Sequence, residues 1–270
     1  MHNFFAICKL TFKEGVSHRL LYGVFIMAIL VMPVAVLVSG FFMRDISKIM
    51  VDFCLSAVSL GGLLVPFFLA VAMLAGDIER RTIFSLLSRP ISRRAYLLGK
   101  FGGLALLTGL VMLFIGVAGL AAVWTGNGLY GSSFFTSFHL SAYLTAMAMN
   151  FLAIMLLNSL VVLWCSLTTS SLLATLLTLA SYLIGQTIDD IVSLIEIGNP
   201  QVPVTPLFKY MVQTGKYIFP NLAAFDFKQV AAYGLPIPIS DVAFLCLYCA
   251  GYSAAILSLA ICAFNRRDLA

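Results

Sequence analysis

The longest uncharged stretch of the chain constrains its fold class most strongly. From Phe101 to Ile188, 88 consecutive residues include no Asp, Glu, Lys or Arg. The 270-residue chain is 61% hydrophobic and 10% charged, whereas soluble domains are about half apolar and about a quarter charged. A soluble core could not bury so much apolar surface, so the excess must face lipid. We therefore predict an all-α integral membrane protein with a single domain over residues 1–270.

Runs without charge predict six membrane spans. Leu20 to Met43 and Phe53 to Gly76 are each long enough to cross the hydrocarbon layer as a helix. Between them, Arg44, Asp45, Lys48 and Asp52 predict a short polar turn. The 88-residue run suits three spans, with breaks at Gly126 to Gly128, at Gly131 to Ser133 and at Ser166 to Ser171. The predicted spans are residues 20–43, 53–76, 101–124, 140–164, 171–188 and 242–265.

Two segments outside the spans predict helices at the membrane surface. In residues 1–19, Phe5, Cys8, Phe12 and Val16 fall near one helical face, which predicts an amphipathic interfacial helix. A basic leader that only fixes topology is the alternative. Residues 189–241 contain six prolines, which argue against one spanning helix, and many aromatic residues, which favour the headgroup layer. We expect short interfacial or re-entrant helices there, before the last span.

The segment 77–100, DIERRTIFSLLSRPISRRAYLLGK, is a charged island with six basic and two acidic residues. Leu86 and Leu87 belong to a short apolar patch within it. Pro90 steers Arg89 away from the α region, and Ser88 or Ser92 could cap a following helix. The pattern predicts two short helices, the second of which continues into the third span.

This order of residues resembles the cytoplasmic loop of the ABC-2-type transporter permeases. It has an acidic residue, Arg-Arg-Thr, Leu-Leu-Ser-Arg-Pro, then Ser-Arg and Leu-Gly-Lys. The leader LTFKEGVSHR resembles the N-terminal amphipathic helix of that family, and Phe264 to Asp268 resembles its usual ending. The resemblance implies a permease subunit of an ATP-driven ABC export system. Its implied partners are a second, identical permease subunit, membrane lipids and cytoplasmic ATPase subunits. The ATPase subunits bind ATP and Mg.

In that family the loop between spans two and three is the coupling helix, which sits in a groove of the ATPase. The residues at matching positions are Glu79, Arg80, Arg81, Thr82, Leu86, Leu87, Arg89, Pro90 and Arg93. The alternative is a basic loop that binds anionic lipid, which accounts for the arginines but not for the apolar patch and the Ser-Arg-Pro break. The sequence Leu98 to Phe101 lacks the hydroxyl residue and the upstream glycine of a phosphate loop. We therefore predict no enzymatic site, cofactor or metal in this chain.

Charge also predicts the orientation. Six spans place both termini and the charged island on one side, with eleven Lys and Arg residues against five on the other. By the positive-inside rule the termini and the island face the cytoplasm, and the resemblance implies a bacterial inner membrane. Because the basic residues flank spans, nucleic acid is not an expected partner.

Several polar residues outside the island are weaker candidates. Asn150 and Asn158 in span four, and Gln186 near the outer end of span five, could line a pathway, but interhelical hydrogen bonding is favoured. Asp189 and Asp190 could form an outer gate or a cation site, or simply a solvated helix end. Some relatives serve copper-enzyme maturation, and eleven methionines invite that alternative, although methionine is also ordinary packing.

Two other function classes are disfavoured. An intramembrane enzyme needs an acid, base or metal set at membrane depth, yet the three histidines, His2, His18 and His139, lie far apart in sequence. An ion-coupled secondary transporter usually has ionisable residues near the midplane and paired repeat halves, and neither is evident. The six cysteines suggest no disulfide framework.

Overall fold

The computed structural model describes residues 2–42, 45–79, 92–135, 138–197 and 206–266. Across these ranges the chain is helical, and no strand occurs in them. The helices are α1 (His2–Val16), α2 (Arg19–Gly40), α3 (Ile46–Leu64), α4 (Val71–Glu79), α5 (Arg93–Tyr130), α6 (Leu140–Leu167), α7 (Ser171–Ile197), α8 (Pro206–Ile218), α9 (Lys228–Ala232) and α10 (Ile239–Arg266). A π-helical turn, Val65–Ala70, joins α3 to α4.

Six stretches of helix are long and apolar enough to cross a membrane. They are Leu21–Gly40, Ile46–Gly76, Arg93–Tyr130, Leu140–Leu167, Ser171–Ile195 and Ile239–Arg266. The short helices α8 and α9 lie between the fifth and the sixth of these stretches. The predicted all-α membrane fold with six spans is therefore confirmed.

The polar turn between the first two spans is shorter than the charge pattern predicts. Lys48 and Asp52 lie inside α3, which begins directly after Asp45. The Lys48 ammonium lies 2.8 Å from Asp45 Oδ1 and 4.7 Å from the centre of the Tyr233 ring. Because these contacts satisfy the charge at the helix end, Lys48 does not have to interrupt the helix.

The predicted break at Gly126 to Gly128 is also wrong, because α5 continues through it to Tyr130. A methyl group added at Gly126 would lie 2.5 Å from the Met50 methyl carbon, so the residue allows α3 to approach closely. The helix ends instead at Gly131, whose φ of 99° favours glycine. Gly131 therefore ends α5 through its backbone conformation, whereas Gly126 stays within the helix.

Helix α5 is the central element of the bundle. Its 38 residues extend about 57 Å, well beyond the hydrocarbon layer of about 30 Å. It packs against α1, α2, α3, α6 and α10. Helices α1 and α2 lie along α5 one after the other. Gly15 of α1 lies against Leu107. Further along, the rings of Phe25 and Phe114 are 4.7 Å apart, and the Tyr130 hydroxyl donates to the Val36 carbonyl at 2.9 Å.

Helix α1 meets α5 across a seam of small residues. A methyl group at Gly103 would lie 2.5 Å from the Thr11 Cβ, and one at Gly99 would lie 2.8 Å from the Ile7 Cβ. Small residues let two backbones approach closely where lipid provides no hydrophobic driving force. The face of α1 that packs on α5 therefore contains Ile7 and Thr11, whereas Phe5 of the predicted apolar face is 66% exposed.

The seam predicts that a large side chain at Gly103 will separate α1 from α5. Cys8 provides a reporter, since it is buried beside Gly102 and Gly103 and burial raises the pKa of its thiol. With the exposed Cys246 and Cys262 replaced by serine, Gly103→Leu should make Cys8 react rapidly with a water-soluble maleimide. The control is Gly23→Leu, because Gly23 has no neighbour within 4 Å. Equal labelling rates in the two variants would contradict the seam.

Candidate functional site

Arg93, one of the nine predicted coupling residues, lies at one end of the bundle. We call this the basic end: there α5 begins with Arg93, and α10 ends with Arg266. Seven of the nine predicted residues lie outside the described ranges: Arg80, Arg81, Thr82, Leu86, Leu87, Arg89 and Pro90. Glu79 is the last residue of α4. The structure therefore places both flanks of segment 80–91.

The first turn of α5 is joined to the last turn of α10. Ser92 caps α5, since its Oγ accepts a hydrogen bond of 3.2 Å from the Ala95 N–H, which confirms the predicted serine cap. Arg93 Nη1 donates to the carbonyl oxygens of Phe264 at 3.0 Å and Asn265 at 3.2 Å. Carbonyls at a helix C-terminus lack partners within the helix and attract cations. Arg93 therefore ties the exit of segment 80–91 to the last span.

Two further contacts tighten this joint. The rings of Tyr96 and Phe264 stack with centroids 6.2 Å apart. Lys100 Nζ lies 3.4 Å from Glu14 Oε2 in α1, and the Lys100 side chain is only 4% exposed. Glu14 is 47% exposed, so solvent screens the attraction and the pair contributes mainly by giving a buried ammonium an acceptor. The start of α5 is thus held to both α1 and α10.

Polar residues within the spans form one interhelical bond near the centre of the bundle. Asn158 Nδ2 in α6 donates to Thr108 Oγ1 in α5 at 3.0 Å, and both residues are fully buried. Thr108 in turn donates to the Leu104 carbonyl at 2.8 Å. In hydrocarbon a polar side chain must find its partner within the protein. Asn158 therefore joins two spans and does not line an open path.

Asn150 and Gln186 are brought together at a second place, a cavity of about 110 Å³. Asn150 Nδ2 donates to Ser59 Oγ of α3 at 2.8 Å. The polar residues of its wall come from α3, α6, α7 and the segment before and within α9: Ser59, Asn150, Tyr182, Gln186, Asp226 and Lys228. Buried apolar residues, among them Leu157 and Phe225, complete the wall.

A non-helical segment around Pro220 enters the bundle beside this cavity. The Leu222 N–H donates to the Gly185 carbonyl at 2.9 Å. The Asn221 amide donates to the Asp189 carboxylate, and Lys216 Nζ lies 3.5 Å from Asp189 Oδ1. Asp189 therefore holds the re-entrant segment 219–227 against α7. Asp190, the other predicted acidic residue, is exposed.

Sequence reasoning missed Ser59, Tyr182, Asp226 and Lys228 as members of one site. Their partners are distant in the chain, so no local period connects them. One signal was present: the stretch YIFPNLAAFDF, residues 217–227, combines a proline with regularly placed aromatic residues. It is the segment that folds back into the bundle, and Phe225 within it is 1% exposed.

Metal binding by His, Cys and acidic side chains is not indicated in the part of the chain that the structure describes. Among the described residues, no group of three or more His, Cys, Asp or Glu could hold a metal ion. Met149 is buried in an apolar cluster with Leu156, while Met147 packs against Gly116 of α5. These contacts are those of packing residues.

Removing the Arg93 side chain should free the end of α10. In Arg93→Ala the Phe264 and Asn265 carbonyls lose their charged donor, so amide hydrogen exchange over residues 258–266 should become faster. Arg94→Ala is the matched control, since Arg94 is exposed and adjacent. Mass spectrometry should show faster amide exchange in Arg93→Ala than in Arg94→Ala. Identical rates would exclude a stabilising contact between Arg93 and the end of α10.

The bond between Asn158 and Thr108 should register as a coupling free energy. A double-mutant cycle with Asn158→Ala and Thr108→Val should give about 0.6 kcal/mol, the usual scale for such bonds in membranes. The cycle is followed by denaturation of the detergent-solubilised protein. As a comparison, Thr145→Val with Asn158→Ala should be additive, because the Thr145 hydroxyl bonds only the Ser141 carbonyl of its own helix. Zero coupling in the first cycle would mean that the bond contributes nothing.

Comparison with known proteins gives one result for nearly the whole chain. The family model described as ABC-2 family transporter protein matches residues 6–269. No curated protein matches the chain. The match includes all six candidate spans and both flanks of segment 80–91. Since one family model covers far more than half of the chain, the protein belongs to the ABC-2 family of transporter proteins and is a multi-pass membrane permease.

Proposed function

We propose that this chain is the permease subunit of an ABC export system driven by ATP hydrolysis in a separate cytoplasmic ATPase. The observation that carries the proposal is the match to the ABC-2 family over residues 6–269. The chain supplies the membrane path, and a second, identical permease subunit completes it. ATP and Mg bind to the ATPase. The family implies the ATPase partner. The contacts of Arg93 with α10 and of Lys100 with α1 allow motion of the ATPase to be transmitted to the spans.

The segment Glu79 to Arg93 is the proposed coupling element. On one side it follows α4, and on the other it leads into α5, whose first turns contact α10 through Arg93 and α1 through Lys100. A force applied to this segment therefore acts on three helices at once. Because α5 is one unbroken helix of 38 residues, a displacement at its start is carried through the whole bundle.

The orientation follows from the same assignment. With the basic end in the cytoplasm of a bacterial cell, eleven Lys and Arg residues face inward against five outward. Both termini are then cytoplasmic, and the re-entrant segment 219–227 and α8 lie towards the outer side of the inner membrane. An apolar or amphipathic cargo suits the uncharged middle of the chain.

Charge reversal in the coupling element should weaken ATPase binding without unfolding the spans. We expect Glu79→Lys and Arg89→Glu each to reduce co-purification of the ATPase, and its stimulated ATP hydrolysis in proteoliposomes, by about a hundredfold, since like charges in an interface cost several kcal/mol. Lys9→Glu, on the exposed face of α1, is the control. The Tm of all three variants should match that of the unmodified protein.

Two results would contradict the proposal. One is retention of full ATPase binding and stimulation by both charge-reversed variants, which would remove segment 80–91 from the interface. The other is movement of cargo by the purified permease along an ion gradient with no ATPase present, which would indicate a secondary transporter.

A further inference from the structure

The cavity beside the re-entrant segment lies at membrane depth. Asn150 lies ten residues from the start of α6 at Leu140, and Gln186 lies nine residues from the end of its candidate span at Ile195. These separations correspond to about 15 Å of helix, so both side chains lie within candidate membrane spans and not at their ends. Polar side chains at such depth are costly and usually serve a function.

The backbone that lines the cavity gives independent support. The Leu222 amide bonds the Gly185 carbonyl, so non-helical chain reaches the level of α7 where Gln186 stands. Irregular backbone at this depth is tolerated only where protein buries it or where it lines a water-filled cavity. Leu222 and Phe225 are buried, while Asp226 and Lys228 line the cavity. Asp226 at the end of the segment and Lys228 at the start of α9 thus bring one acidic and one basic group to a polar cavity between the spans.

These two charges are paired and only partly buried. Lys228 Nζ lies 3.2 Å from Asp226 Oδ2, with side chains 26% and 43% exposed. Asp226 Oδ1 also accepts the Lys228 N–H at 3.1 Å. Further inside, the Gln186 amide and the Tyr182 hydroxyl make no side-chain hydrogen bond within the described part of the chain, although both line the cavity. Unused donors and acceptors therefore face the space behind a balanced ion pair.

We propose that this cavity binds a zwitterionic group in which an ammonium lies close to a phosphate or a carboxylate. The guest ammonium pairs with Asp226 and the guest anion with Lys228, while Gln186 and Tyr182 satisfy its remaining hydrogen bonds. A guest with a net charge would leave one member of the pair without compensation. A zwitterion preserves the balance. A cavity of about 110 Å³ holds several waters or one compact head group.

The site deepens the proposed export function, since a group held within the permease is the polar end of its cargo. Two sources share this chemistry: the head group of a zwitterionic phospholipid and a free solute of the same kind. The experiment therefore has a soluble arm and a lipid arm, and both use the full chain without ATPase or ATP.

In the soluble arm, glycerophosphoethanolamine, a phosphodiester without net charge, is titrated into the detergent-purified chain by calorimetry, and ethanolamine and dimethyl phosphate are titrated separately. We expect glycerophosphoethanolamine to bind, and Asp226→Asn and Lys228→Gln each to weaken its binding about tenfold, the scale of a hydrogen bond to a charged group. Gln186→Ala, which leaves the ion pair intact, should weaken it too. Thr187→Ala and Asp190→Asn, on exposed neighbours in α7, should not.

In the lipid arm, the chain is reconstituted with equal amounts of phosphatidylethanolamine and phosphatidylglycerol, and retained lipid is identified by native mass spectrometry. Retention of phosphatidylethanolamine that is lost in Lys228→Gln identifies a lipid as the source, and binding only in the soluble arm identifies a solute. The proposal is overturned if neither arm shows binding. It is equally overturned if the single-charge fragments bind as tightly as glycerophosphoethanolamine, or if the cavity variants bind like the controls.

Failure of this site and failure of the export function give different results. Zwitterion binding in a chain that transports without an ATPase would retain the site and contradict the ABC mechanism. ATPase-dependent transport in a chain that binds no zwitterion would retain the mechanism and remove the site.

Discussion

Hydrocarbon offers no hydrogen-bond partner to a peptide group or a polar side chain, and this constraint governs the fold of the permease. Each span satisfies its backbone by forming a helix. Asn158 finds Thr108 on a neighbouring helix. The segment 219–227, which is irregular apart from a 3-10 turn at Ala223–Phe225, bonds the carbonyl of Gly185 and the carboxylate of Asp189 in α7. At Asn158 and at segment 219–227, polar groups among the spans are met by another part of the protein.

The extreme length of α5 follows from a second requirement, which is to connect the two ends of the bundle through one rigid element. At its start Arg93 and Lys100 bind α10 and α1, and at its end Tyr130 bonds the backbone of α2. The glycine seam with α1 lies in the part of α5 nearest the basic end, where close backbone approach replaces apolar side-chain packing. The helix therefore acts as a strut between the proposed coupling segment and the rest of the membrane domain.

Much of this architecture could be predicted from local sequence. A charged residue is costly in lipid wherever it occurs, so each uncharged run indicates a span without reference to the rest of the chain. Six spans and the serine cap at Ser92 follow from local patterns of this kind. Local patterns failed where tertiary contacts override them: Lys48 remains in a helix because Asp45 and Tyr233 receive its ammonium, and Gly126 packs against Met50 instead of ending α5. The cavity was not predictable for the same reason, since Ser59, Gln186 and Lys228 are far apart in sequence.

The cavity and the proposed coupling segment are nevertheless connected along a short length of chain. Ser59 and Leu63 of α3 line the cavity, and α3 continues through the π-helical turn Val65–Ala70 into α4, which ends at Glu79. Such turns interrupt the regular hydrogen-bond ladder and are common sites of bending. Within this turn the Phe67 ring meets the cavity residue Tyr182 edge to face, with centroids 5.7 Å apart. A displacement of Glu79 that bends the turn therefore reaches the cavity wall directly, in addition to the longer route through α5.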